Sequence, residues 1–106
     1  MVFEFEGFGF KFGPYAAAET QAVAGVSIGK LFEKMKSESD ATLCLIHYFY
    51  GAAKAYNVSK GIKTEVNLDS VGDLLEKIGF EKAMEVFTES LQMPKNSEAP
   101  KETGQK

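Results

Sequence analysis

The chain has 106 residues, which suits one domain, and its 44% hydrophobic and 25% charged residues are an ordinary balance for a globular protein. Its net charge is −3 and all 12 basic residues are lysines, which argues against binding to nucleic acid or to an anionic membrane. The single cysteine, Cys44, cannot form an internal disulfide, and we find neither a secretory signal nor a membrane-spanning run, so we expect a cytoplasmic protein.

The first twelve residues predict a β-hairpin. They contain five of the nine phenylalanines, at alternating positions: Phe3, Phe5, Phe8, Phe10 and Phe12. A two-residue turn at Glu6-Gly7 would place Phe5 opposite Phe8 and Phe3 opposite Phe10, with all five rings on one face. An isolated hairpin is only marginally stable, so this face needs a cover. We favour helices of the same chain over a neighbouring subunit, because small domains normally bury their aromatic residues internally.

Two short helices follow the hairpin. Pro14 opens the first, over residues 15–24, and Gly25 fits its left-handed end. Ser27 caps the second. The predicted apolar stripe of the first helix is Tyr15, Ala18, Ala22 and Val23, and that of the second is Ile28, Leu31, Phe32 and Met35. A polar break at residues 37–40 ends the second helix, and Ser39 or Asp40 is expected to cap the next.

The third helix, over residues 41–56, is predicted to be the core of the protein, because it is apolar nearly all round. One side carries Leu43, Ile46, His47 and Tyr50, and the rest is covered by Leu45, Tyr48, Phe49, Ala52 and Tyr56. Ile46 lies between these stripes and is expected to be the most enclosed position. Gly51 weakens the helix, so we expect another element to pack closely there. Residues 57–64 are interpreted as a polar loop or a frayed helix end.

Two further helices complete the predicted domain. The fourth starts near Asp69 and ends at Gly79, with Val71, Leu74, Leu75 and Ile78 as its stripe. The fifth covers residues 81–92, buries Ala83, Met84, Phe87 and Leu91, and is expected to stop at Pro94. The sequence thus predicts a mainly α (α+β) fold, with a small N-terminal β-hairpin and four to five short helices packed around a central hydrophobic helix. We expect one domain over residues 1–93 and a disordered polar tail over residues 94–106.

Two residue patterns mimic reactive sites, and each has a simpler interpretation. Cys44 and His47 share a helix face, but the chain has no other Cys or His to complete a zinc site, and a catalytic pair would need an orienting third group. Residues 65–76 space their acids like an EF-hand, but Ser70 stands where the loop requires glycine, so a helix N-terminus is the better explanation. We therefore expect no catalytic residue, no metal and no cofactor, and we do not expect an enzyme.

Four segments, in this order, resemble the tail assembly chaperones of long-tailed bacteriophages and prophages. They are Lys11-Phe12-Gly13 after the hairpin, the Val-Ser-Ile-Gly-x-Leu-Phe stretch at residues 26–32, the hydrophobic helix with small residues at 41–56, and Val-Gly-Asp-Leu-Leu-Glu at 71–76. The resemblance covers roughly residues 8–92. It implies a non-enzymatic protein that binds the tape measure protein and the tail tube protein while the tail assembles in the host cytoplasm. Many members of this family also exist in a longer form made by frameshifting.

The surplus of aromatic residues predicts contacts with other chains, including further copies of this one, because so small a domain has few elements to cover them. We take as candidate partner-binding residues Phe3, Phe5, Phe8, Phe10, Tyr48, Phe49 and Tyr56. Two alternatives from other classes stay open. One is a helical interaction or regulatory module unrelated to phage tails, and the other is an enzyme that uses His47 and the acidic residues.

Overall fold

The computed structural model describes the backbone of residues 1–97, and the side chains of residues 1–37 and 40–91. Within that part, a two-stranded antiparallel hairpin precedes five helices, as the sequence predicted. The strands are β1 (Val2–Phe5) and β2 (Phe8–Lys11), and the helices are α1 (Pro14–Ala24), α2 (Ile28–Lys34), α3 (Glu38–Lys60), α4 (Leu68–Ile78) and α5 (Phe80–Ser97). α3 contacts every other element except β1 extensively, which confirms it as the centre of the fold.

The hairpin has the predicted register, with Phe3 opposite Phe10 and Phe5 opposite Phe8. Glu6 and Gly7 form the turn with φ angles of 48° and 86°. Positive φ at both central residues is typical of the two-residue turn whose twist matches that of paired strands. β2, rather than β1, lies along α3. The hairpin is therefore covered by a helix of the same chain, as favoured from the sequence.

The packing of α1 against α3 depends on the absence of a side chain at Gly51. Ala16 and Thr20 are the buried residues of α1, and the Thr20 hydroxyl donates a 2.8 Å hydrogen bond to the Ala16 carbonyl. A Cβ atom at Gly51 would lie 2.5 Å from that carbonyl oxygen. The close packing predicted at Gly51 is thus confirmed. The predicted apolar stripe of α1 is wrong, because Tyr15, Ala18 and Ala22 are exposed.

α3 is longer than predicted and is oriented differently. It starts three residues earlier, at Glu38, and continues to Lys60, where Gly61 ends it in the left-handed conformation. Its buried side chains are Ala41, Cys44, Leu45, Tyr48, Phe49, Ala52, Ala53 and Ala55. Ile46 is only half-buried, so the expectation that it would be the most enclosed position is wrong. α1 and the hairpin cover the faces of α3 that carry the alanines and Phe49, which leaves Ile46 at the edge of the packed region.

α4 and α5 pack over the remaining side of α3. Asn67 caps α4, since its side chain accepts a 2.8 Å hydrogen bond from the Ser70 amide, and the predicted residues of α4 are buried except that Ile78 is half-buried. The buried residues in the described part of α5 are Ala83, Val86, Phe87 and Ser90. The prediction that Leu91 is buried is wrong: Leu91 is exposed, because the buried side of the helix includes Val86 and Ser90 instead.

The expected stop at Pro94 is also corrected, because α5 continues to Ser97. A proline within a helix removes one backbone donor and crowds the preceding turn, yet the backbone here stays helical for three residues beyond Pro94. The rest of the predicted tail, residues 98–106, lies outside the described residues.

Candidate partner-binding surface

Three of the seven candidate partner-binding residues lie in the core. Phe10 and Phe49 are fully buried, with ring centroids 5.2 Å apart in an edge-to-face arrangement, and Tyr48 is buried against Phe12 and Phe87. Such pairs stabilise a core beyond their buried area. Phe10, Tyr48 and Phe49 therefore present no surface to a partner, which corrects their assignment as partner-binding residues. Their burial agrees with the prediction that the third helix is the core and that a helix of the same chain covers the hairpin.

The other four candidates lie at the hairpin, and only Phe8 is largely exposed, at 54%. Phe3 and Phe5 are half-buried. Tyr56 of α3 contacts both strands of the hairpin. Its ring packs directly on Gly9, where a Cβ atom would leave no room for it, and its hydroxyl donates a 2.9 Å hydrogen bond to the Glu4 carboxylate. The structure thus gives Tyr56 an internal contact, and it leaves Phe8 as the candidate with the most accessible ring.

Of the potentially reactive groups of α3, Cys44 is buried and His47 is half-buried. Cys44 is buried, and burial raises the pKa of its thiol, with a further increase from the Asp40 carboxylate, so the thiol stays protonated at neutral pH. Burial lowers the pKa of His47, and the positive charge of Lys34 lowers it further, so the imidazole is neutral at pH 7. Neither group is activated as a nucleophile, since an activated cysteine needs a lowered pKa.

A buried hydrogen-bond pair joins α3 to α5. The Ser90 hydroxyl donates a 2.6 Å hydrogen bond to the Phe87 carbonyl, so its single proton is committed there. Tyr48 must then be the donor in the 2.9 Å contact between its hydroxyl and Ser90. Burial raises the pKa of Tyr48, and the hydrogen bond to Ser90 opposes that rise. Both polar groups are satisfied, so the pair orients α5 and offers no chemistry to a substrate.

An open, mainly apolar cleft of about 700 Å³ lies between α3, α4 and the start of α5. We call it the α3–α4 cleft. Its apolar lining residues are Leu43, Leu45, Ile46, Leu68, Gly72, Leu75, Phe80 and Ala83. Leu43 and Phe80 are 55% and 52% exposed, which is unusual for side chains of this size that share one recess. The sequence placed Leu43 and Ile46 on one side of the helix, but it gave no reason to expect that side to be open.

One edge of the α3–α4 cleft is acidic. Asp69, Asp73 and Glu76 are four and three residues apart on α4, a spacing that places them in one row along the helix, and all three line the cleft and are exposed. Among the described residues, none of these carboxylates takes part in an ion pair, and no lysine lines the cleft. The cleft therefore combines an apolar floor with a negatively charged edge.

A smaller cavity of about 220 Å³ lies between the hairpin, the end of α3 and the segment that leads into α4. Phe8 and Ile62 are its most exposed apolar lining residues, and Glu65 is its one charged lining residue. Among the described residues, neither recess is lined by a histidine or a cysteine, and the carboxylates that line them are Glu65 in the cavity and the three exposed acids of the cleft. The residues of the EF-hand-like segment from Leu68 onward belong to α4, so they cannot form a calcium loop.

Comparisons with protein-family models, with curated proteins and with solved structures find no match to this chain. Within the described residues, no three or more His, Cys, Asp or Glu side chains are grouped so that they could hold a metal ion. In the same part of the chain, no helix is long and apolar enough to cross a membrane.

Proposed function

We propose that this protein is a non-enzymatic tail assembly chaperone of a bacteriophage or prophage. It binds the tape measure protein, and the tail tube protein, in the bacterial cytoplasm during tail assembly. The proposal draws on the ordered resemblance of residues 8–92 to such chaperones, and the observation that carries it is the α3–α4 cleft. An open apolar recess on a small acidic domain suits a protein that covers apolar helices of a partner until assembly requires them.

The proposed contacts rest mainly on apolar burial. Leu43 and Phe80 supply exposed apolar surface at the cleft, and Phe8 supplies it at the hairpin. The chain has no arginine, so charged groups act at the rim through lysines and acids. Such an interface weakens only modestly as salt increases, unlike a contact with a row of phosphates. Self-association also belongs to the proposal, through the exposed apolar surface at the hairpin, where Phe8 lies outside the α3–α4 cleft.

The non-enzymatic part of the proposal is supported by the environment of the only histidine and the only cysteine. Cys44 is buried, and its thiol has a raised pKa. His47 has a lowered pKa, and it lies in neither recess, where an acid or base could act with it. A catalytic role would require one of them to reach a substrate in an open pocket. Neither residue lines the α3–α4 cleft or the cavity at the hairpin.

The first test examines gene neighbourhood and binding together. A tail tube gene upstream and a very long helical gene downstream are expected, and an unrelated neighbourhood would favour a helical interaction module outside phage tails. The protein is then co-expressed with the neighbouring tape measure protein and captured at low and high salt. We expect a complex under both conditions. No complex under either condition, together with a monomer by light scattering at high concentration, would refute the proposal.

Matched variants connect this test to the structure. Leu43→Ser removes exposed apolar surface inside the α3–α4 cleft, whereas Val58→Ser removes similarly exposed surface on the same helix, about 22 Å away along its axis. Both side chains are more than half exposed, so neither change should unfold the domain. We expect only Leu43→Ser to reduce capture of the tape measure protein.

A further inference from the structure

We propose that the α3–α4 cleft binds an amphipathic helix whose apolar stripe is flanked by lysine or arginine. This inference deepens the proposed function by naming the binding surface and the chemistry of the partner, and it rests on that function only for the partner's identity. The occupant is defined by the lining of the cleft, which is apolar along its floor and acidic along one edge.

The dimensions of the cleft suit a helix. α4, which forms one wall, has 11 residues and is thus about 16 Å long, which corresponds to three turns of a helix lying alongside it. A helix of that length presents apolar residues at i, i+3 or i+4, and i+7. Leu43 and Phe80 stand exposed in the cleft, and Ile46 lies between α3 and α4. A Cβ at Gly72 would contact Ile46 at an ordinary 3.7 Å, so α3 and α4 approach each other at this point of the cleft.

The negative charge of the cleft edge favours basic residues beside the apolar stripe of the bound helix. Asp69, Asp73 and Glu76 line one edge, and within the described chain they have no ion-pair partner. Lysine or arginine beside the apolar stripe would pair with them at the edge of the interface, where charge complementarity contributes to specificity and association rate. A helix with acidic flanks would place like charges together and is rejected by the same carboxylates.

Two occupants from the chain itself fit less well. A second copy would bring another acidic edge and a net charge of −3 to this surface, which opposes a symmetric contact through the cleft. The sequence beyond Ser97 offers only Ala99 and Pro100 as apolar side chains, which is too little to fill a cleft of this volume. A basic helix of another protein satisfies both the floor and the rim.

The experiment uses the full chain and two synthetic peptides of about 14 residues, each with leucine at i, i+3, i+4 and i+7. One peptide has lysine at the flanking positions and the other has glutamate there. Binding is measured by fluorescence anisotropy at peptide concentrations up to about 1 mM. We expect the lysine peptide to bind and the glutamate peptide to bind at least about tenfold more weakly. Equal binding of the two peptides, or no binding of the lysine peptide, would overturn the inference.

Charge reversals test whether the cleft is the site. Asp73→Lys with Glu76→Lys should weaken binding of the lysine peptide by about tenfold, because two rim attractions become repulsions. The control is Glu33→Lys with Glu89→Lys, which changes the net charge equally at exposed positions outside the cleft and should change the affinity less than about twofold. Equal effects of the two pairs would show that only total charge matters, and the inference would fail.

The outcomes separate this inference from the proposed function. If the lysine peptide binds at the cleft but the tape measure protein is not captured, the cleft inference stands and the chaperone proposal fails. If the tape measure protein is captured and the cleft variants do not affect either ligand, the chaperone proposal stands and the cleft inference fails. Light scattering of the full chain and of Leu43→Ser provides a further check, because a dimer that disappears in the variant would identify a second copy as the occupant and refute the inference.

Discussion

Replacing Gly51 with alanine should move α1 away from α3. A Cβ at this position would meet the Thr20 hydroxyl oxygen and would lie 2.5 Å from the Ala16 carbonyl oxygen and 2.9 Å from the Thr20 amide nitrogen. Two of these three atoms belong to the backbone of α1, so no side-chain rotation relieves the clash. α1 would have to retreat by about 1 Å to restore an ordinary van der Waals contact.

The expected magnitude follows from two opposing terms. Overpacking costs about 1–3 kcal/mol, and we take the upper part of this range, about 2–3 kcal/mol, because the clash involves backbone atoms; alanine recovers about 1 kcal/mol of helix propensity within α3. We therefore expect Gly51→Ala to lower the free energy of unfolding by about 1–2 kcal/mol. For a domain of this size, that corresponds to a decrease of about 5–15 °C in the thermal midpoint. Thermal and urea denaturation followed by circular dichroism would measure both quantities.

Gly29→Ala is the matched control, because a Cβ at Gly29 would meet nothing within 4 Å and the residue lies in α2 with its surface exposed. This substitution should raise the free energy of unfolding by about 0.5 kcal/mol through helix propensity alone. The two glycine substitutions are thus expected to have opposite signs. A neutral or stabilising effect of Gly51→Ala would refute the packing of α1 on α3 described above.

A double variant separates the side-chain clash from the backbone clash. Thr20→Ala removes the hydroxyl that a Cβ at Gly51 would meet, but it leaves the Ala16 carbonyl and the Thr20 amide in place. Gly51→Ala should therefore remain destabilising in the Thr20→Ala background, with only part of its cost removed. Full rescue would mean that the hydroxyl alone makes the contact and that the backbones of α1 and α3 are farther apart.

Three further predictions concern the hairpin and the core. Glu6→Asn should raise the free energy of unfolding by about 0.5 kcal/mol, because Glu6 has φ 48° and asparagine tolerates that conformation better; a loss of stability in denaturation would contradict the turn. Ser90→Ala should cost more than Tyr48→Phe, about 1–3 against about 1 kcal/mol, since only the former leaves a buried hydroxyl without a partner; urea titrations of both variants decide the order. Phe49→Ala should cost about 3–5 kcal/mol and Ile46→Ala less than about 2 kcal/mol, and equal unfolding midpoints would contradict the burial of α3.

Features governed by local rules could be predicted from the sequence. The strict alternation of phenylalanines and the Glu6-Gly7 turn determined the hairpin register, because both act within a few residues. Gly25 ends α1 and Gly79 ends α4 for a similarly local reason, since glycine accepts a positive φ. Ser27 caps α2, where its hydroxyl accepts a hydrogen bond from the Lys30 amide.

The face that each helix buries depends on distant contacts and was harder to predict. α1 is rich in alanine, so its apolar stripe is nearly featureless, and its buried side includes the polar Thr20. That burial is tolerable because the hydroxyl bonds to the Ala16 carbonyl within the same helix, a local satisfaction that a hydrophobicity pattern does not reveal. Gly51 on α3 correctly indicated that another element packs closely there. It did not indicate that this element is α1, or that Ala16 and Thr20 make the contact.

The same limit explains why three buried residues of the core were predicted to bind a partner. α3 is apolar nearly all round, so the sequence could not tell which face its neighbours would leave uncovered. The large aromatic residues of α3 are buried in the core: Tyr48 and Phe49 pack against Phe12 at the end of the hairpin, and Tyr48 also contacts α5. What stays exposed is the aliphatic Leu43 with Ile46 half-buried beside it, on the side that faces the start of α4.

The core and the proposed binding cleft lie on different faces of α3. The core face carries Phe49 and Ala52, which are fully buried, whereas the cleft face carries Leu43, which is more than half exposed and contributes little to the stability of the isolated chain. Substitutions at Leu43 should accordingly affect binding without affecting folding, and substitutions at Phe49 should affect both. Under the proposed function, a partner with basic flanks covers this apolar surface, while the acids on α4 oppose contact between copies through the cleft.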